Sequence, residues 1–226
     1  MGLNFNVPKK IFLYVNTKER IDLEKISRFV KQNFGKIDIA IKRIDFVRVR
    51  GLLFDFLALN SEFINKVSAK FRKPVYCHIA ITDKLFATYD DFKKLHIRAS
   101  IFGYPSVISV SGIVQGPAKP REYYILKQKY TQLGVWDIEE AKVKNKFRQR
   151  FIDYQDKRLT EVIKGYIAQS LLFFTTGNPF CKNKSCRLFN AHWQEDLIHA
   201  QVKSGKFCKS HKKILDSIKN KETPDA

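Results

Sequence analysis

The sequence predicts an α/β domain with a distinct, cysteine-rich C-terminal part. Three observations carry that prediction. Strand-like and helix-like stretches alternate over residues 10–114, the order expected when helices pack on a sheet. Three of the four cysteines and one histidine fall into two short pairs between Cys181 and His211. The chain has 226 residues, 44% hydrophobic and 13% aromatic, which is enough for one well-buried domain and short for two.

Lys10–Val15 is a strand candidate. It is followed by Asp22–Phe34, where Ile21, Leu23, Ile26, Phe29, Val30 and Phe34 form a helical stripe that Gly35 ends. Ile37–Val47 alternates as a second strand, and Leu52–Phe71 reads as a second helix with Phe56, Leu59, Phe63, Ile64 and Val67 inward and Pro74 at its exit. Val75–Thr82 and Ser106–Val114 are the third and fourth strands.

Val114–Tyr124 is the clearest loop, and it leads into a partly helical stretch broken near Gly134. Leu159–Phe174 is helical, Lys209–Lys221 reads as a short basic helix or fraying end, and Glu222–Ala226 is expected to be disordered. The expected organisation is a single domain over 1–226. Its parts are an N-terminal α/β part (1–124), a helical part (125–176) and a zinc-binding part (177–221).

The zinc expectation rests on Cys181-x4-Cys186 and Cys208-x2-His211. Each pair follows turn-forming residues, Gly177-Asn178-Pro179 and Ser204-Gly205, and can curl around an ion. The insert Asn190–Lys203 reads as a helix with Trp193, Leu197 and Val202 on one side. The competing reading is three buried thiols and a surface histidine. If all four positions are filled by protein donors, no place is left for a reactive water, so such an ion holds structure and does no chemistry.

At these residues the chain resembles the archaemetzincins, zinc-peptidase-like proteins of the metzincin clan. Their pattern is His-Glu-x-x-His-x-x-Gly-x-x-His-Cys-x4-Cys-x-Met, followed after a spacer by Cys-x-x-Cys. Gly177, Cys181 and Cys186 coincide with its glycine and first cysteine pair. Cys208 and His211 fall on the second pair, with histidine replacing a cysteine, and Leu188 stands where the Met-turn methionine would. The resemblance implies a metzincin-like (zincin) fold, a mixed twisted sheet with packed helices, and one structural zinc.

The same resemblance puts the three catalytic zinc ligands at Ser170, Phe174 and Phe180, and the general-base glutamate at Leu171. An H-E-x-x-H helix works because two imidazoles on one face hold zinc while the carboxylate activates its water. Phenylalanine and leucine offer neither a metal nor a proton a lone pair. The peptidase machinery is therefore expected to be absent, leaving a domain that binds a peptide or protein partner. In metzincins the cleft edge strand pairs with an extended peptide, a mode that needs no metal.

Other histidines offer no rival site. His78 and Cys77 are adjacent in a strand and point to opposite faces. His96 reads as solvated on a surface helix. His192 and His199 would stand two helical turns apart, too far to share an ion. No Gly-rich phosphate loop or nucleophile elbow is present.

Lys and Arg outnumber Asp and Glu 42 to 22, a formal net charge of +20, which raises nucleic acid as an alternative partner. Within 142–158 the cations Lys142, Lys144, Lys146, Arg148 and Arg150 interleave with Phe147, Phe151, Ile152 and Tyr154. The near-helical spacing of those rings equally suits a core. No stretch reaches transmembrane length, and no signal-peptide pattern opens the chain. Asn6 stands where a myristoylation signal wants serine or threonine. Cysteines in zinc-like spacing then point to a reducing cytoplasm.

Overall fold

The computed structural model describes residues 6–44, 67, 71–89 and 92–220. In chain order, strand β1 (Lys10–Asn16) leads into helix α1 (Leu23–Phe34) and strand β2 (Asp38–Arg43). Strands β3 (Tyr76–Thr82), β4 (Phe86–Tyr89), β5 (Leu95–Arg98), β6 (Ser100–Ile101) and β7 (Ser106–Ser109) follow. The rest is helical: α2 (Val110–Gln115), α3 (Arg121–Gln132), α4 (Trp136–Lys146), α5 (Leu159–Thr176), α6 (Gln194–Ile198) and α7 (Lys209–Lys219). Apart from Val67 and Phe71, the helix expected over Leu52–Phe71 lies outside the described residues.

Five strands form a mixed sheet in the order β2-β1-β3-β7-β6, parallel except for β6, which runs antiparallel along β7 at the edge. Strands β4 and β5 make a separate antiparallel pair. Alternation along β1 sorts its side chains between two cores. Ile11 and Leu13 join Ile79, Ile81 and Ile108 beneath α1, α5 and α7. Phe12 and Tyr14 face the other way, with Ala80, Phe86 and Val107. The larger core runs from Ile11 to Ile218, so the N-terminal strands and the last helix bury one another.

Local chemistry explains the element ends. The Asp22 side chain accepts from Lys25 N at 2.9 Å and starts α1, and Gly35, at φ +96°, ends it. The fourth strand stops at Ser109 rather than running to Val114. The Ser109 hydroxyl accepts from Gly112 N at 2.8 Å and caps α2, turning an apolar run into a helix. Only glycine fits at 112, because a Cβ there would stand 2.1 Å from the Arg98 carbonyl oxygen. The loop expected over Val114–Tyr124 is shorter, with α3 beginning at Arg121. His96 lies on strand β5, not on a helix, and is exposed.

The Cys77 and His78 side chains sit on opposite sheet faces, both buried. Cys77 belongs to the larger core. His78 stacks on Phe12 and Tyr14, and its Nδ1 lies 3.0 Å from the Tyr14 hydroxyl. Among the described residues, no helix is long and apolar enough to cross a membrane.

Candidate metal centre

Helix α5 ends where the first ligand pair begins. Gly177 takes the left-handed conformation at φ +75°, its N–H reaching Phe173 O at 2.8 Å, and the chain turns out of the helix. Cys181 N then donates to Leu188 O at 2.9 Å. Between the two, Asn183 folds the loop, with Ser185 N donating to its side chain at 2.9 Å and Cys186 N to its carbonyl at 2.9 Å. The second pair is built by a helix start: Cys208 precedes α7, and His211 lies in its first turn.

These four side chains converge, their ligand atoms all within 4.8 Å of one another. Cys181 Sγ and Cys208 Sγ are 3.8 Å apart. His211 Nδ1 lies 3.2 Å from Cys208 Sγ and 4.0 Å from Cys186 Sγ. A zinc tetrahedron with bonds of about 2.3 Å to sulfur and 2.0–2.1 Å to nitrogen has S···S edges of about 3.8 Å and S···N edges of about 3.6 Å. The observed separations, 3.2–4.8 Å, bracket those edges, so shifts of about 1 Å or less would close the four atoms around such an ion. Backbone N–H groups already point at two sulfurs, Asn183 N at Cys181 Sγ and Cys208 N at Cys186 Sγ, each at 3.4 Å. Such donors stabilise thiolate charge. Burial pushes the Cys186 thiol up. Burial also acts on Cys208, but hydrogen bonds from His211, Cys181 and Cys186 outweigh it and hold that thiol low. Three soft sulfurs and an imidazole are a donor set suited to zinc.

Three buried polar side chains that sequence reasoning did not single out tie this lobe to the domain. Arg187 donates from Nε to Gly205 O at 3.0 Å and from Nη1 to Glu161 O at 2.9 Å, and lies over the Phe29 ring. Gln201 donates to Arg187 O at 2.7 Å. Gln194 accepts from Ile152 N at 3.0 Å and donates to Ile113 O at 2.8 Å. Only the place of Arg187 beside Cys186 gave a sequence signal.

The expected helix over Asn190–Lys203 is shorter. It starts at Gln194 and continues past Ile198 as a wider π-helical turn, His199–Ser204. Leu197 is buried and Val202 partly so, but Trp193 is exposed. His192 precedes the helix, and His199 pairs through Nε2 with the Ser185 hydroxyl at 2.9 Å. Neither belongs to a ligand cluster, and among the described residues no other group of three or more His, Cys, Asp or Glu converges.

The four positions at which the archaemetzincin resemblance expects catalytic residues lie mostly in apolar packing. Ser170 is fully buried, its hydroxyl donating to Tyr166 O at 2.9 Å. Leu171 lies in the larger core with Leu188, and Phe174 packs against it. Phe180 is partly exposed and meets Phe102 edge-on at 5.5 Å, while Phe102 meets Phe173 at 5.6 Å. Beside Phe180 is a groove of about 160 Å³, lined by Ile97, Arg98, Tyr166, Asn190 and His192 among others.

In the basic segment, Lys142 pairs with Glu139, Lys144 with Glu140 and Asp153, and Arg150 with Glu122 and Glu195. Lys146 lies over the Phe147 ring, and Arg148 borders a cleft beneath α4. Phe147, Phe151 and Ile152 are buried, the two rings clustering with Tyr123 and Val143, while Tyr154 is 43% exposed. The interleaved rings are therefore mostly core.

The fold is similar to that of archaemetzincin from Methanopyrus kandleri, whose crystal structure aligns over 93% of this chain and 95% of that one, with a TM-score of 0.52 and 14% identity. A search of curated proteins finds no match. A family model described as a probable metallopeptidase family (DUF6775) matches residues 44–218. With that match spanning most of its length, the chain belongs to this probable metallopeptidase family.

Proposed function

We propose that the protein is a metzincin-type domain that holds one structural zinc, does not hydrolyse peptides, and binds an extended segment of a protein partner along its former catalytic cleft. The observation that carries this reading is the chemistry at Ser170, Leu171, Phe174 and Phe180. A core leucine, two phenylalanines and a serine whose hydroxyl is taken by a backbone carbonyl supply no ligand set and no general base. The zinc is held by Cys181, Cys186, Cys208 and His211, and it fixes the lobe that carries Phe180. Those ligands leave no coordination position for water. The groove beside Phe180, next to the edge of the sheet, suits an apolar side chain from a peptide paired there.

Metal analysis together with hydrolysis of a mixed quenched-peptide library tests the reading. One zinc per chain and no cleavage are expected. Two zincs, or cleavage that a chelator stops while the fold persists, would overturn it.

The net charge of +20 favours a second reading, a nucleic-acid-binding module braced by the same zinc. With Phe147 and Phe151 buried and Lys142, Lys144 and Arg150 paired internally, binding would rest on phosphate contacts rather than base stacking. Affinity that falls steeply with salt would support it, and weak salt-insensitive retention would count against it.

A further inference from the structure

Parallel strands β1, β2 and β3 end at one level: Arg43 pairs with Val15 at the close of β2, and Thr82 with Asn16 at the close of β3. From β1 the chain passes through α1 to β2 on one side, whereas beyond β3 it goes on to β7 on the other. Neighbouring strands whose connections leave in opposite directions open a crevice at their carboxyl ends, and ligands of open α/β sheets bind there. Here the crevice measures about 820 Å³, within the range of small-molecule sites. It shares no residue with the Cys/His centre or with the groove beside Phe180.

Each of the three strand ends contributes a cation, Lys18 after β1, Arg43 on β2 and Lys84 after β3. None of them forms an ion pair among the described residues. The two carboxylates at the rim are already occupied. Asp83 accepts from the Thr17 hydroxyl and, at 2.8 Å, from Lys18 N. Glu19 accepts from Gln155 N at 2.6 Å and from its side chain at 3.2 Å. The walls are also held in place: Ser109 donates to Lys84 O at 2.5 Å and Ser111 to Asp83 O at 2.6 Å. At the start of helix α1 the Asp22 side chain already takes the Lys25 N–H. Apolar surface from Val15, Ile21 and Leu23 completes the lining.

We infer that this crevice binds a nucleotide-sized phosphorylated small molecule, with its phosphates on Lys18, Arg43 and Lys84 and its apolar body against Val15, Ile21 and Leu23. The inference does not depend on how the former catalytic cleft is used. It is tested by calorimetric titration of the full zinc-loaded chain with pyrophosphate, which probes the cations alone, and with ATP, which probes cations and apolar wall together. Saturation at one ATP per chain is expected, tighter than pyrophosphate, with about a tenfold loss of affinity for Lys84→Ala or Arg43→Ala. A Lys142→Ala/Lys146→Ala control, which removes charge elsewhere, leaves ATP affinity unchanged. The proposal is overturned if ATP shows no saturable binding, binds no tighter than pyrophosphate, or binds equally well after Lys18→Glu/Lys84→Glu.

Discussion

Cys181 Sγ and Cys208 Sγ lie 3.8 Å apart although 27 positions separate them. Two thiols brought this close beside an imidazole and a third thiol can form one edge of a metal tetrahedron, and an ion held there would close a loop running through α6. Removing the metal should therefore loosen the lobe from Cys181 to His211. Chelation, or Cys186→Ser, is expected to cost on the order of 5 kcal/mol or more. Mass spectrometry under native conditions should show the loss of one zinc, and hydrogen exchange should rise through 181–211 before it rises in β1 or β3. Equal protection with and without chelator would show that the four side chains hold no metal.

Gly165 makes room for Gln201. A Cβ on residue 165 would stand 1.8 Å from Gln201 Oε1 and 2.3 Å from its Cδ. Gln201 is almost wholly buried and donates to Arg187 O, so it cannot swing into solvent without breaking that bond. Gly165→Ala is expected to destabilise the fold by about 2–3 kcal/mol. The double variant Gly165→Ala/Gln201→Ala should cost less than the sum of the single changes, and a denaturant cycle reads the difference. Additive costs would mean the two residues do not share this contact.

What was legible in the sequence follows from how local each signal is. Strands β1 and β3 and helices α1 and α5 were readable because apolar periodicity and end signals such as Asp22, Gly35 and Gly177 act within a few residues. The four metal-centre residues were readable because ligand spacing is short-range chemistry. The run after Ser106 misled because an apolar stretch fits strand or helix alike, and the Ser109 cap decided it. The rings of Phe147 and Phe151 fit both a base-stacking surface and a core by spacing alone, and it is Tyr123, from a different helix, that covers them. Gln194 and Gln201 give no signal for the same reason, since their partners are distant in sequence, and Arg187 shows only by its place beside Cys186.

Gln194 is the clearest such case. Wholly buried, it accepts from Ile152 N and donates to the carbonyls of Ile113 and Val114, joining the insert helix to the end of α2. Truncation leaves several buried backbone groups without partners. Gln194→Ala should cost about 2–4 kcal/mol, and Gln194→Met, which keeps the volume but not the bonds, should cost nearly as much. Thermal or denaturant unfolding with zinc in excess measures both. A neutral Gln194→Met would show that packing, not hydrogen bonding, is what this residue supplies.

The acid limb of stability should run through Asp156 and Glu161. Burial pushes the Asp156 carboxyl up, but hydrogen bonds and charge from Arg158 outweigh it, and its pKa falls below the ordinary 3.8. Burial likewise opposes ionisation of Glu161, and Lys164 and Arg187 bring it below 4.5. A carboxyl that is more acidic when folded stabilises the native state fully above its unfolded pKa, and loses that contribution as pH falls through the folded value. Stability should therefore decline from about pH 5 downward and keep declining below 3.8. Arg158 also donates to the carbonyls of Arg148, Gln149 and Phe151, so breaking its pair with Asp156 loosens the turn that follows α4. Asp156→Asn is expected to cost about 2 kcal/mol at neutral pH and progressively less on acidification. Zinc loss at low pH affects both proteins, so the informative quantity is the difference between their unfolding free energies at each pH. A difference that stays constant from pH 7 to pH 3 would remove Asp156 from the account.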